Sequence, residues 1–262
     1  MFYYIDDGLD FSHKLDGHTL PSNDFEKHMH SFCELLFFIR GSIDYTIESE
    51  VKRLAAGDLL IIRPGDLHFG TVDPKKHYER YVLKFPESLL PRFLDRRIRA
   101  HSPFFSDCMY LMPEFEELDR IYEKYGEEEK RVLMPSQLLR ILIDLDYDGG
   151  AQPNRENITK KPIISEIIDY INEHLCSSFD LNDICEDLHY SKSYICNEFA
   201  KEMKTSLMTY VKYKKIIAAH KEICEGEVKL TELAERYGYN DYSTFYRNYT
   251  KIIGHPPKGG RQ

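Results

Sequence analysis

The chain has 262 residues, 42% hydrophobic and 30% charged, with 35 Lys and Arg against 44 Asp and Glu for a formal net charge of −9. That composition belongs to a globular protein, and the length allows two ordinary domains. No apolar run approaches the roughly 18 residues a bilayer span needs, the start MFYYIDDGLD carries acid where a signal peptide is basic, and six cysteines form no C-x-x-C pair. A membrane protein, a disulfide scaffold and a cysteine zinc site are thereby excluded, and the cytoplasm is the expected compartment.

In chain order, the first pattern is HMHSFCE, residues 28 to 34, which spaces His28, His30 and Glu34 as H-x-H-x3-E. Alternate residues of an extended segment share a side, so His28 and His30 point together, and imidazole with carboxylate suits Fe, Mn or Ni. The pattern leaves a metal site and the polar lining of a ligand cavity both open. Residues 34 to 85 then hold short apolar runs set off by turn signals: ELLFFIR, Gly41, IDYTI, VKRLAAGD, LLIIR, PGD and YERYVLKF. They predict strands of an antiparallel barrel or sandwich.

From about residue 88 the apolar period lengthens. Phe115, Leu118, Ile121, Tyr122 and Tyr125 share one helix face, and Leu138, Leu139, Ile141, Leu142 and Leu145 share another. The second stripe, with no evident home on a closed barrel, predicts a homodimer through the helix at residues 133 to 147. DGGAQPNRENITKKP, residues 148 to 162, is polar, contains Gly and Pro, and lacks a period, as a linker does. The domain boundaries expected are 1–150, a linker at 151–162, and 163–262.

After the linker the sequence nearly repeats. LNDICEDLHYSKSYICNEFAKE (residues 181–202) aligns with LTELAERYGYNDYSTFYRNYTK (residues 230–251), at an offset of 49 through Tyr190 and Tyr239 and of 50 from Ile195 and Phe245. Each copy reads as a short helix, a tight turn at His189 or Gly238, and a second helix burying Ile195 and Phe199, or Phe245 and Tyr249. Glycine suits a left-handed turn, and His is among the few other residues enriched there. Two helix-turn-helix units result, joined by a helix in TSLMTYVKYKKIIAAHKEICEG. About 19 residues at 1.5 Å each span roughly 28 Å, which with flanking turns matches one DNA turn of ~34 Å.

These three blocks, with GHPP at residues 254–257, resemble the AraC family of bacterial transcription regulators across residues 163 to 262. The resemblance implies a helical DNA-binding domain behind a sensor barrel. His189 and Lys204 stand where the family usually has glycine, Asn197 stands for a common arginine, and Asn248 for an apolar residue; KGGRQ lacks the usual final helix. Residues 163 to 262 hold 13 Lys and Arg against 15 Asp and Glu, whereas phosphate neutralisation favours basic domains. Modest DNA affinity, dependent on dimerisation, is expected.

The outward positions expected to meet DNA are Lys192, Ser193, Cys196, Asn197 and Lys201 on the first recognition helix and Ser243, Thr244, Tyr246, Arg247 and Lys251 on the second. Lys212 joins them from the connecting helix, beside Lys214 and Lys215. HMHSFCELLFFIRG and GDLLIIRPGDLH, with His28, His30, Glu34, Gly41, Gly57, Pro64, Gly65 and His68, resemble the two motifs of the cupin barrel. Cupins can hold a metal there, whereas AraC-type sensor barrels commonly retain the pattern without one. The expectation is therefore an effector pocket with His28, His30, Glu34, Tyr45 and His68, no cofactor and no catalysis; the alternative is a cupin metalloenzyme using His28, His30, Glu34 and His68. Aromatics among the first 85 residues (Phe2, Tyr3, Tyr4, Phe25, Phe37, Tyr45, Phe69, Tyr78, Tyr81), with the resemblance to sugar-responsive members, point to a saccharide effector and carbohydrate-related genes. Double-stranded DNA, a small-molecule effector, a second copy of the chain and RNA polymerase are the expected partners.

Overall fold

A computed structural model describes residues 1–16, 27–73, 76–89, 102–147, 158–226 and 228–258. Phe25, the linker residues 151–157 and the terminal residues 259–262 lie outside that description. Among the described residues ten strands form two antiparallel sheets, ordered β1-β2-β8-β3-β6-β9 and β10-β5-β4-β7. The strands are β1 (Tyr3–Asp6), β2 (Leu9–Asp16), β3 (Cys33–Arg40), β4 (Ile43–Ile47), β5 (Glu50–Arg53), β6 (Leu59–Ile62), β7 (His68–Val72), β8 (Tyr78–Phe85), β9 (Phe104–Phe105) and β10 (Ile158–Lys160). ELLFFIR, IDYTI, LLIIR and YERYVLKF become strands and VKRLAAGD does so only over its first three residues, whereas β7 and β9 were not predicted and β1 and β2 lie in a segment whose mixed charges hid them.

The continuous run ELLFFIR is explained by burial on both faces of β3. Leu35 and Phe37 face two helices, α1 (Met112–Lys124) and α2 (Glu127–Tyr147), in one core with Phe11, Leu83 and Phe115. Leu36 and Phe38 alternate to the other side and meet Ile43, Tyr45 and Ile47 of the second sheet. The rationale for the dimer is corrected here, because Met134, Leu138, Ile141, Leu142 and Leu145 of α2 are buried against the larger sheet. The stripe does have a home. Most of the aromatics proposed for a ligand likewise pack: Phe2, Tyr4, Phe37 and Tyr81 on that helix-covered face, and Tyr45 and Tyr78 between the sheets.

Six helices follow: α3 (Pro162–Glu173), α4 (Leu181–Leu188), α5 (Lys192–Met203), α6 (Leu207–Glu225), α7 (Leu230–Arg236) and α8 (Tyr242–Ile253). Asp180 caps α4 through a reciprocal pair with Asp183, and Ser191, Ser206 and Asp241 accept from backbone N–H groups at the starts of α5, α6 and α8. The turn residues behave as their positions demanded. His189 and Gly238 have φ of 58° and 76°, and Lys204 ends α5 at φ 53°. A Cβ on Gly238 would stand 3.0 Å from the Ser178 backbone, so the second turn needs glycine for space as well as for φ.

The expected linker ends in structure. Ile158, Thr159 and Lys160 pair with Lys52, Val51 and Glu50, adding an edge strand to the smaller sheet immediately before α3. The helical part also docks on the sheets, for Leu67, with Met29 against it, shares a core with Ile164, Ile167, Ile195, Phe199 and Tyr210.

Candidate functional site: a buried histidine cluster and two outward helices

His28, His30, Glu34 and His68 each offer a ligand atom within 4.8 Å of the others. Three pieces of chain deliver them. His28 and His68 form a reciprocal backbone bridge, each N–H donating to the other's carbonyl at 3.1 Å, and Glu34 lies on β3 between Ile62 and Lys84. His30 Nδ1 lies 2.9 Å from the Phe32 carbonyl, and His68 Nδ1 lies 2.9 Å from the Asp66 carbonyl. A carbonyl only accepts, so each Nδ1 carries the hydrogen and, in the neutral ring, each Nε2 presents a lone pair to the cluster.

Burial sets the charges. It pushes the Glu34 carboxyl up, but the contact with His30 and the charges of His68, His30 and Lys84 overcome it and bring it down to about 2. Burial holds His68 down at about 4 against the pull of Glu34, leaving that imidazole neutral at pH 7. Tyr45 stacks at 6.4 Å from the His68 ring but belongs to the packing between the sheets.

At the junction with the helices, Glu48 holds a left-handed turn at φ 52° and accepts from Leu67 N at 3.0 Å, Tyr210 Oη at 2.5 Å and Lys214 Nζ at 3.2 Å. Burial lifts the Glu48 carboxyl, while Glu48 and Asp66 lift Lys214 against its own burial. Three donors converging on one carboxylate fit its ionised form, so we take Glu48 and Lys214 as a salt bridge at neutral pH. Gly65, at φ +82°, donates to the His30 carbonyl at 2.9 Å, and a Cβ there would meet Ile217 of α6 at 3.2 Å. Sequence reasoning missed this junction because its partners are some 160 residues apart; the turn at Glu48 and Ser49 after IDYTI was the one local signal.

The helix-turn-helix residues divide less evenly than expected. Lys192, Ser193, Asn197, Lys201, Ser243, Tyr246, Arg247 and Lys251 are exposed, whereas Cys196, Thr244 and Lys212 are half-buried. The Thr244 hydroxyl is occupied, donating to Asp241 at 2.8 Å and accepting from Arg247 at 3.1 Å. Lys214 and Lys215 are corrected as members of a DNA-facing cluster. The first is held by Glu48, and the second donates to the Ser177 carbonyl at 2.7 Å over the Phe179 ring.

A family model described as the AraC-like ligand binding domain matches residues 18–145, and one described as a helix-turn-helix domain matches residues 184–262. The multiple antibiotic resistance protein MarA of Salmonella typhimurium is 31% identical over 94 residues, 36% of this chain and 74% of that protein. The chain belongs to the AraC family. Over 250 residues, 90% of this chain and 87% of its relative, it is 25% identical to the transcriptional activator RhaR of Enterobacter sp.. An apo form of ToxT from Vibrio cholerae is 11% identical over 96% of each chain, with a TM-score of 0.40. As a member of the AraC family the protein is a ligand-responsive, DNA-binding transcription regulator. No helix among its described residues is long and apolar enough to cross a membrane.

Proposed function

We propose that α5 and α8 enter successive major grooves on one face of DNA and that a ligand at the barrel alters how they are presented. The observation that carries this reading is the pair of helix-turn-helix units with outward Asn197 and Arg247, spaced by the 19-residue α6. Asparagine and arginine are the side chains that pair with adenine and guanine edges. Selection of bound sequences from a random duplex pool by the full chain should return a bipartite site with centres about 10 base pairs apart. An unenriched pool at low salt would reject it. Residues 1–150 serve as sensor and 163–262 as DNA reader, with no catalytic step, and RNA polymerase is the partner on promoter DNA.

The finer reading of the effector as a saccharide is supported by a cavity of about 190 Å3 lined in part by Asp44, Thr46, Ser49, Phe69 and Thr71, with Lys161 and Glu202 from the helical side. The expected pocket residues His28, His30, Glu34, Tyr45 and His68 do not line it, and carbohydrate-related genes as targets follow only from that effector class. The cavity joins carboxylates and hydroxyls to one aromatic ring, the mixture that suits a sugar.

A homodimer through α2 is proposed on a different face from the one predicted. Val132 and Ile143 are 66% and 46% exposed, and with exposed Ser136 and half-buried Leu139 they make a stripe at three- and four-residue spacing opposite the buried one. Val132→Asp with Ile143→Asp should convert a sedimenting dimer of the full chain to a monomer at tens of micromolar. A wild type that is monomeric there, or a variant still dimeric, removes α2 from the interface.

A further inference from the structure

The nitrogens His30 Nε2 and His68 Nε2 are buried and make no hydrogen bond among the described residues. His68 is 0% exposed and Glu34 is 5% exposed. The Glu34 carboxylate lies 3.5 Å from His30 Nε2, beyond a good N–H···O distance. Two lone pairs and an anion thus face one another in a water-poor space, an arrangement that costs free energy unless a cation lies between them. The ring orientation is that of a metal site, since metal-binding histidines donate their second nitrogen to a carbonyl or carboxylate, as His30 and His68 do here. Three imidazoles and one carboxylate make a donor set for a divalent first-row transition ion.

The same two segments face the helical domain with the residues next to the histidines. Met29, between His28 and His30, packs on the core of α3, α5 and α6, and Leu67, beside His68, is buried within it. Asp66 gives its carbonyl to His68, and its carboxylate lies 3.8 Å from Lys214 of α6. A movement of His28, His30 or His68 by a few tenths of an ångström is therefore felt directly where the DNA-binding part docks.

We propose that His28, His30, Glu34 and His68 hold one divalent transition-metal ion, and that Met29 and Leu67 convey its occupancy to the docking of α3 and α6. This revises the expectation of no metal. It rests on the ligand-responsive reading and names the ligand class at this cluster.

The test uses the full chain stripped of metal by chelator, titrated separately with Mn, Fe, Co, Ni and Zn. One ion per chain is expected for at least one of them, with affinity lowered about 100-fold or more by Glu34→Gln and by the less buried His28→Ala, given that loss of a mere supporting contact costs 10–100-fold. X-ray absorption should show nitrogen and oxygen ligands only. Hydrogen exchange of α3 amides should slow on loading. Met29→Ala should bind the ion within about twofold of wild type yet lose that slowing. Absence of stoichiometric binding, or binding indifferent to Glu34→Gln and His28→Ala, overturns the site; binding without any change in α3 exchange overturns the coupling. Sequence selection by the metal-free chain is read separately, so failure here leaves the regulator reading standing and failure there leaves the site standing.

Discussion

Glu48→Ala is expected to destabilise the domain junction by about 1–3 kcal/mol, because it leaves the Tyr210 hydroxyl without its acceptor and the buried Lys214 ammonium with only the Asp66 carboxylate, 3.8 Å away. The Lys214 side chain is 11% exposed and Glu48 16% exposed, so water cannot readily replace the lost partner. Tyr210 itself is fully buried and shares the core that seats Leu67 on α3 and α5. The loss therefore falls on the joint between barrel and helices rather than on either core. In calorimetry the wild type should unfold with its two parts coupled, whereas Glu48→Ala should show a separate, earlier transition for one of them. Adding Lys214→Met should recover much of the loss, since a buried ion pair replaced by apolar groups of similar size is often neutral. A wild-type melting profile for Glu48→Ala would show that the junction carries little energy.

The contrast between what was legible and what was not follows sequence separation. The strands in ELLFFIR, IDYTI, LLIIR and YERYVLKF and the turns at His189 and Gly238 were readable because pattern, propensity and turn chemistry act within a few residues, whereas HFGTV of β7 has too short and mixed a pattern to stand out. The gathering of His28, His30 and Glu34 was readable for the same reason, and His68 joined them only through the resemblance to cupin motifs. Strands β1 and β2 escaped notice: LDFSHKLD alternates, but its outward residues are charged and its partners lie on β8, some 70 residues on. The apolar stripe of α2 was read correctly and assigned to the wrong surface, because a helix face states that it is buried and not against what. Lys214 and Lys215 were read as a basic patch; only the fold shows that Glu48, Asp66 and the Ser177 carbonyl claim them.

Arg247→Ala should weaken binding to the selected duplex much more than to random DNA. Arg247 is exposed on α8, with Nη2 3.1 Å from Thr244 Oγ1, so its guanidinium is steadied at the outward face of the helix. A bidentate contact with guanine is worth about 1–3 kcal/mol of discrimination, or roughly 5- to 150-fold, and it vanishes with the side chain. Lys212, half-buried on α6, belongs to the connecting helix and not to either recognition helix, and a lysine there suits a phosphate. Lys212→Ala should weaken both duplexes alike and reduce the slope of log K against log salt by about 0.9, the value of one phosphate neutralised. The acidic balance of residues 163 to 262 makes the comparison sharp, since few phosphate contacts are available to mask a lost base contact. Equal losses on both duplexes for Arg247→Ala, measured at one fixed salt concentration, would remove α8 from the major groove.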